Sequence, residues 1–188
     1  LKNPNWYLKK NSDPIEAALI LYDKLLNDYL GEEEFDLIIA TGLTQKPYDI
    51  LKFYYKIKEH KEFFTKLNIN FTKIQELMSR DFLIFFKDEH ETKISEEILN
   101  KIKLKNQKLF QIDNRGTNLF VTLVYPNEIF QNDYLDNSEI CLFNYISFVA
   151  IKNGMHSQKG FYYDNFSNYK RDQMNIVNIK EIIFNFFK

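Results

Sequence analysis

Residues 12–41 constrain the fold more than any other part of the chain. Asp13 is placed to cap a helix, Pro14 suits its first position, and Glu16 completes a capping box. Ile15, Ala18, Leu19, Tyr22, Leu25, Leu26, Tyr29 and Leu30 then recur at helical spacing, with Gly31 as the expected stop. The acidic run Glu32-Glu33-Glu34 reads as a solvated loop. It leads into residues 37–41, LIIAT, a short run apolar on both faces. A strand of that kind needs cover on both sides, the condition met at the centre of a parallel sheet.

Residues 46–67 are predicted to be helical in two pieces, with Phe53, Tyr54, Ile57, Phe63, Phe64 and Leu67 inward and the charged KIKEHKE on the wet side. Residues 72–77 are expected to add one more helical turn. FLIFF at 82–86 reads as a strand, and 89–103 as an amphipathic helix with Ile94, Ile98, Leu99 and Ile102 inward. Two strands, 109–112 and 119–124, flank Asp113-Asn114-Arg115-Gly116, whose turn chemistry predicts a hairpin. This β-α-β-β order is expected to form a small inserted lobe over 79–126. Residues 131–137 read as a polar loop, and 145–151 as a buried strand entering the segment 153–160. Residues 161–175 read as a polar-aromatic loop. The closing helix is capped by Asn178, with Glu181 completing the box and Ile179, Ile182, Ile183 and Phe186 inward. Helices alternating with apolar strands predict an α/β fold: a central, mostly parallel sheet flanked by helices, carrying the inserted lobe. Residues 1–188 would be a single domain or the C-terminal fragment of one.

Composition narrows the function classes. The chain has 188 residues, 45% hydrophobic and 27% charged, enough for a real core. A net charge of −1 leaves no footprint for nucleic acid and no polybasic membrane patch. No apolar run approaches the roughly 20 residues of a membrane span. The single cysteine, Cys141, excludes an internal disulfide and a cysteine-cluster metal site, and reads as a small buried hydrophobe. Lack of a signal peptide and of disulfides favours a cytoplasmic location. The start at Leu1 without a methionine implies a missing N-terminus.

Candidate chemistry is sparse. His60 in KEHKE and His90 in KDEHET have charged neighbours and read as surface residues. His156 follows an apolar strand and a glycine, with a second glycine four residues later. Loops beyond strand ends are where α/β proteins place chemistry, and an imidazole there could bind a metal or a phosphate oxygen. It could equally bond within its own loop, and both readings stand. Thr41, Thr44 and Gln45 can donate to an anion or cap a helix starting near Pro47, and the cap is the better reading. Arg80 beside Asp81 could hold an anion, but a structural ion pair is favoured. There is no phosphate-cradling glycine loop, GxSxG elbow, HExxH or EF-hand spacing.

The order of elements resembles the C-terminal half of the alkaline phosphatase superfamily, which includes nucleotide pyrophosphatase/phosphodiesterases and sulfatases. SDPIEAALILYDKLLNDYL followed by DLIIATGLTQ is similar to a helix and strand that in those enzymes end in Ser-Asp-His-Gly, whose Asp and His bind metal. SFVAIKNGMHSQKGFYY looks like the final histidine turn, with His156 in the metal-ligand position, and NIVNIKEIIFNFF looks like the closing helix. The resemblance touches both ends of the chain and not its middle. It departs where Thr41-Gly42-Leu43-Thr44 stands in place of Ser-Asp-His-Gly, so both ligands of that segment are missing. The nucleophile and the other ligands would lie upstream of Leu1. The resemblance therefore implies a protein handling phosphate or sulfate esters, on a phosphorylated or sulfated small molecule or glycan. It would be a hydrolase only if upstream residues complete the site, and zinc would bind only with ligands outside this chain. Thr41, Thr44 and Gln45 would line the substrate mouth. The alternative is a non-catalytic, degenerate binding module for a glycan, nucleotide or protein partner, with residues 161–175 as its contact surface.

Overall fold

The computed structural model describes residues 3–31, 34–166 and 174–186. In chain order the elements begin with α1 (Pro14–Leu30), β1 (Ile38–Ala40), β2 (Thr44–Ile57), α2 (His60–Lys66), β3 (Lys73–Glu76), β4 (Asp81–Phe85) and α3 (Glu89–Lys101). They continue with β5 (Lys103–Leu104), β6 (Gln107–Lys108), β7 (Phe110–Asn114), β8 (Asn118–Leu123), a 3₁₀ turn (Leu142–Tyr145), β9 (Ile146–Ser157), β10 (Tyr162–Asp164) and α4 (Asn178–Phe186). They fall into two compact units: a central unit, Tyr48–Asn153, and a terminal unit of Lys2–Pro47 with Gly154–Lys188.

The central unit is built on a four-stranded antiparallel sheet in the order β3-β4-β8-β7. Leu119, Val121 and Leu123 alternate inward along β8, as do Phe82 and Ile84 along β4. In register, Phe82 faces Val121 and Ile84 faces Leu119, so one apolar face is continuous across the strands. Phe63 and Phe64 of α2 pack with Phe82 and Phe110, ring centroids 5.2–6.4 Å apart. Helix α3 starts at Asp88, whose carboxylate accepts from the Glu91 N–H at 2.9 Å. It buries Thr92, Ser95 and Leu99 and leaves Ile94 47% exposed, so its inner face is smaller and more polar than the apolar pattern predicts. The hairpin at Asp113–Gly116 forms: Asn114 Oδ1 accepts from Gly116 N–H, and Gly116 takes φ +85°, which a side chain would strain.

Several expectations are corrected. The described residues form only small antiparallel sheets and no central parallel sheet. Residues 37–41 read as a parallel-sheet centre because they are apolar on both faces. Instead β1 pairs with β10 as a two-stranded antiparallel ribbon, with Ile38 and Ile39 half-buried and Ala40 exposed. Residues 46–57, read as helix, belong to strand β2. Phe53, Tyr55 and Ile57 are buried on alternate residues, the period of a strand. Phe53, Tyr54 and Ile57 also satisfy helical spacing, which is why the segment reads either way. The choice is made by β9, the neighbour of β2. Tyr55 meets Phe148 at 5.9 Å and Lys58 N–H donates to the Tyr145 carbonyl, so these strands run antiparallel. Residues 72–77 hold strand β3 rather than a helical turn.

In the terminal unit, the Asp13 carboxylate caps α1 by accepting from Ile15 and Glu16 N–H at 2.9 and 3.1 Å. Gly31 follows with φ −80°, so the helix ends without the left-handed residue a glycine stop implies. No residue of α1 is buried, although the sequence marks a clear inward face. Ahead of α4, Asn175 Oδ1 accepts from Val177 N–H, and Asn178 is the first residue of the helix. Ile179 and Ile182 are half-buried there, whereas Ile183 and Phe186 are exposed, Phe186 against the Phe166 ring at 4.8 Å. Residues 32–33 of the acidic loop lie outside the described residues.

Candidate functional site

The opening strand and the late histidine segment meet in the terminal unit. Beyond the pairs Ile38–Asp164, Ile39–Tyr163 and Ala40–Tyr162, the ladder continues one step. Thr41 N–H donates to the Phe161 carbonyl, and Thr41 Oγ1 accepts from Phe161 N–H, both at 2.8 Å. At the other end Asn165 Oδ1 accepts from Leu37 N–H, and its Nδ2 donates to the Phe35 carbonyl. Thr41 therefore ties strand to strand. The helix it was expected to help cap does not exist.

Gln45 lies beside Gly154: a β-carbon on Gly154 would sit 3.0 Å from Gln45 Oε1. His156 is two residues on, so its Cα is within about 7.6 Å of that of Gly154. Gly154 was read as part of a turn after the strand. It lies inside β9, which runs on to Ser157, and its lack of a side chain accommodates the neighbouring strand. His156 is thus an exposed strand residue rather than a loop residue. Gln45 is also exposed and Thr44 half-buried. Among the described residues the side chains of Thr44, Gln45 and His156 have no hydrogen-bond or ion-pair partner. The Thr41 hydroxyl keeps its own proton to donate. The four sequence-read residues thus belong to two adjoining segments that carry hydrogen-bond donors.

A zinc does not fit this set. Among the described residues no group of three or more His, Cys, Asp and Glu side chains could hold a metal ion. One imidazole cannot supply a coordination shell.

Other residues lie differently from their reading. Arg80 and Asp81 do not pair with each other. The guanidinium stacks 4.1 Å over the Tyr54 ring and donates to the Leu123 carbonyl, while Asp81 accepts from Thr122 Oγ1 at 2.7 Å. Cys141 is buried. His90 is exposed, but His60, read as a surface residue, is 8% exposed. Phe64, four residues on, puts His60 on the apolar face of α2, a spacing the charged neighbours obscured. Its ring meets Phe82 edge-on at 4.9 Å, and Nδ1 lies 3.3 Å from Glu76 Oε1.

Burial pushes the His60 pKa down, with Glu76 opposing and Lys56 adding to the shift. The unfolded chain therefore takes up this proton first as pH falls. Stability from His60 is expected to be complete above about pH 6.5, the unfolded value, and to be lost as pH falls through the lower folded value. Thermal melts across that range should show the slope, and His60→Phe should flatten it. An equal slope in the variant would assign it to other groups.

Sequence reasoning also missed Asp133 in the polar segment 131–137. Its carboxylate is buried, 2.7 Å from Lys105 Nζ, and accepts from Phe130 N–H at 2.9 Å. The bond to Asp133 raises the Lys105 pKa. On α2, the exposed Lys66 and Glu62 side chains both bond the OH of the buried Tyr145 at the 3₁₀ turn, a fully paired cluster. Residues 167–173 of the expected aromatic loop lie outside the described residues, and 162–164 form β10.

No family model matches the chain, and no curated protein or solved structure matches it. Among the described residues no helix is long and apolar enough to cross a membrane.

Proposed function

We propose that the terminal unit binds a phosphate- or sulfate-bearing ligand through Thr41, Thr44, Gln45 and His156, and that this segment does not hydrolyse it. The observation that carries the reading is the adjacency of residues 41–45 and 154–161, far apart in sequence, hydrogen-bonded at Thr41–Phe161 and close together at Gln45–Gly154. Such adjacency is what the resemblance to the alkaline phosphatase superfamily implies for the strand end and the final histidine turn. On this reading the chain is the C-terminal portion of a degenerate relative. The kinship rests on segment order, because the described residues form no parallel sheet. Two hydroxyls, a carboxamide and an imidazole N–H are hydrogen-bond donors suited to ester oxygens. They provide neither a metal nor an activated nucleophile, so binding is the chemistry they support.

Titration of the chain with inorganic phosphate, sulfate and p-nitrophenyl phosphate, followed by NMR shifts, tests this. Gln45→Ala and His156→Ala are each expected to weaken binding about tenfold, the loss of one hydrogen bond of about 1.4 kcal/mol. No nitrophenol should be released. Binding unchanged in both variants, or release of nitrophenol abolished by His156→Ala, would overturn the reading.

A further inference from the structure

Helix α1 carries more uncovered apolar surface than its own unit accounts for. At 3.6 residues per turn its apolar arc runs from Leu21 through Leu25, Tyr22, Leu26 and Leu19 to Leu30, about half the circumference. Of these only Leu26 is half-buried; Leu21 is 70%, Tyr22 64% and Leu19 62% exposed. Around Glu16, Leu19, Ile20, Tyr22, Asp23 and Leu26 the surface is shallow and open, bounded by the helix's own residues alone. The helix is nonetheless locally determined, since its Asp13 cap is made. Contiguous apolar patches of this kind mark interaction surfaces.

The width and rims of the arc select the occupant. Asp23 and Glu16 border it beyond Leu30, and Asp28 borders it beside Leu21, while Lys24, the single basic residue of the helix, lies on the opposite side. A second copy of α1 would contact only the narrow seam of a helix pair and would bring carboxylate rims together. An anionic lipid surface favours helices edged with Lys and Arg, the reverse of this one. A surface half the helix wide is covered by a concave groove.

We infer that α1 is a docking helix for a protein presenting an apolar groove with lysine or arginine lips. This surface shares no residue with the anion site and does not depend on it.

The test titrates the full chain against two designed helical-bundle receptors with the same apolar groove, one lipped with Lys and one with Glu. The Lys-lipped receptor is expected to bind at least about tenfold tighter at about 0.1 M salt. That preference should shrink at about 1 M, where the screening length falls from about 10 Å to about 3 Å. Leu19→Glu/Leu25→Glu should abolish binding with helix content retained by circular dichroism, and the milder Leu19→Gln/Leu25→Gln should weaken it. Four results each overturn the inference: equal affinity for both receptors, binding to neither, dimerisation lost in the double variant, or partition onto phosphatidylserine vesicles.

Discussion

Phe64→Ala is expected to cost the central unit about 3–5 kcal/mol, the range for emptying a buried aromatic position. The ring is fully buried and meets Phe63 at 5.2 Å, Phe82 at 5.3 Å and Phe110 at 6.1 Å. Those partners come from α2, β4 and β7, so the cavity would open where helix and sheet meet and could not be closed by one side chain turning. His60 lies against Phe64 too, at 6.4 Å, so the void would also admit water to a buried imidazole. Urea titration followed by circular dichroism should show the midpoint falling by more than about 1 M at an unchanged slope. Ile50→Ala, on a side chain 61% exposed in the same unit, serves as control and should stay within about 0.5 kcal/mol of the parent. A Phe64 loss no larger than that of Ile50 would mean that this aromatic cluster is not the core.

What was legible in the sequence was local. The Asp13 cap of α1 and the Asp113–Gly116 hairpin depend on residues within a few positions of one another, and both form. What was illegible depended on distant partners. The strand β2 fits a helical pattern until Phe148 and Tyr145 are known to lie beside it. The buried face of His60 is made by Phe82 and Glu76, and that of Asp133 by Lys105, none of which local charge reveals. Periodicity in α1 marks the face that calls for cover but says nothing of what supplies it. The candidate site was partly legible. Thr41, Thr44, Gln45 and His156 were picked out as one mouth by a resemblance at both ends of the chain. The residues that join those ends, Gly154, Gly160, Phe161 and Asn165, carry no chemistry that sequence reading would select.

Gly160→Ala should show how tightly that junction is held. A β-carbon on Gly160 would lie 1.8 Å from the Thr41 carbonyl oxygen and 2.9 Å from its carbon. Both are main-chain atoms in the ladder with Phe161, so no side-chain rotation relieves the overlap, and the two segments must separate. Overpacking against backbone costs about 1–3 kcal/mol or more, and here it falls on a ribbon of three residue pairs. The ribbon is expected to open, with the amides of Thr41 and Phe161 losing protection from hydrogen exchange, and anion binding should fall with it. Gly154→Ala makes the comparison. Its β-carbon would approach Gln45 Oε1 at 3.0 Å, the free end of a side chain that can swing away, so stability should change little. The pair separates two causes that a loss of binding alone would confuse. If Gly160→Ala opens the ribbon and binding survives, the ligand is not held between the two segments. If Gly154→Ala weakens binding while the ribbon stays protected, the Gln45 carboxamide is itself a contact, because its position is the first thing that substitution would disturb.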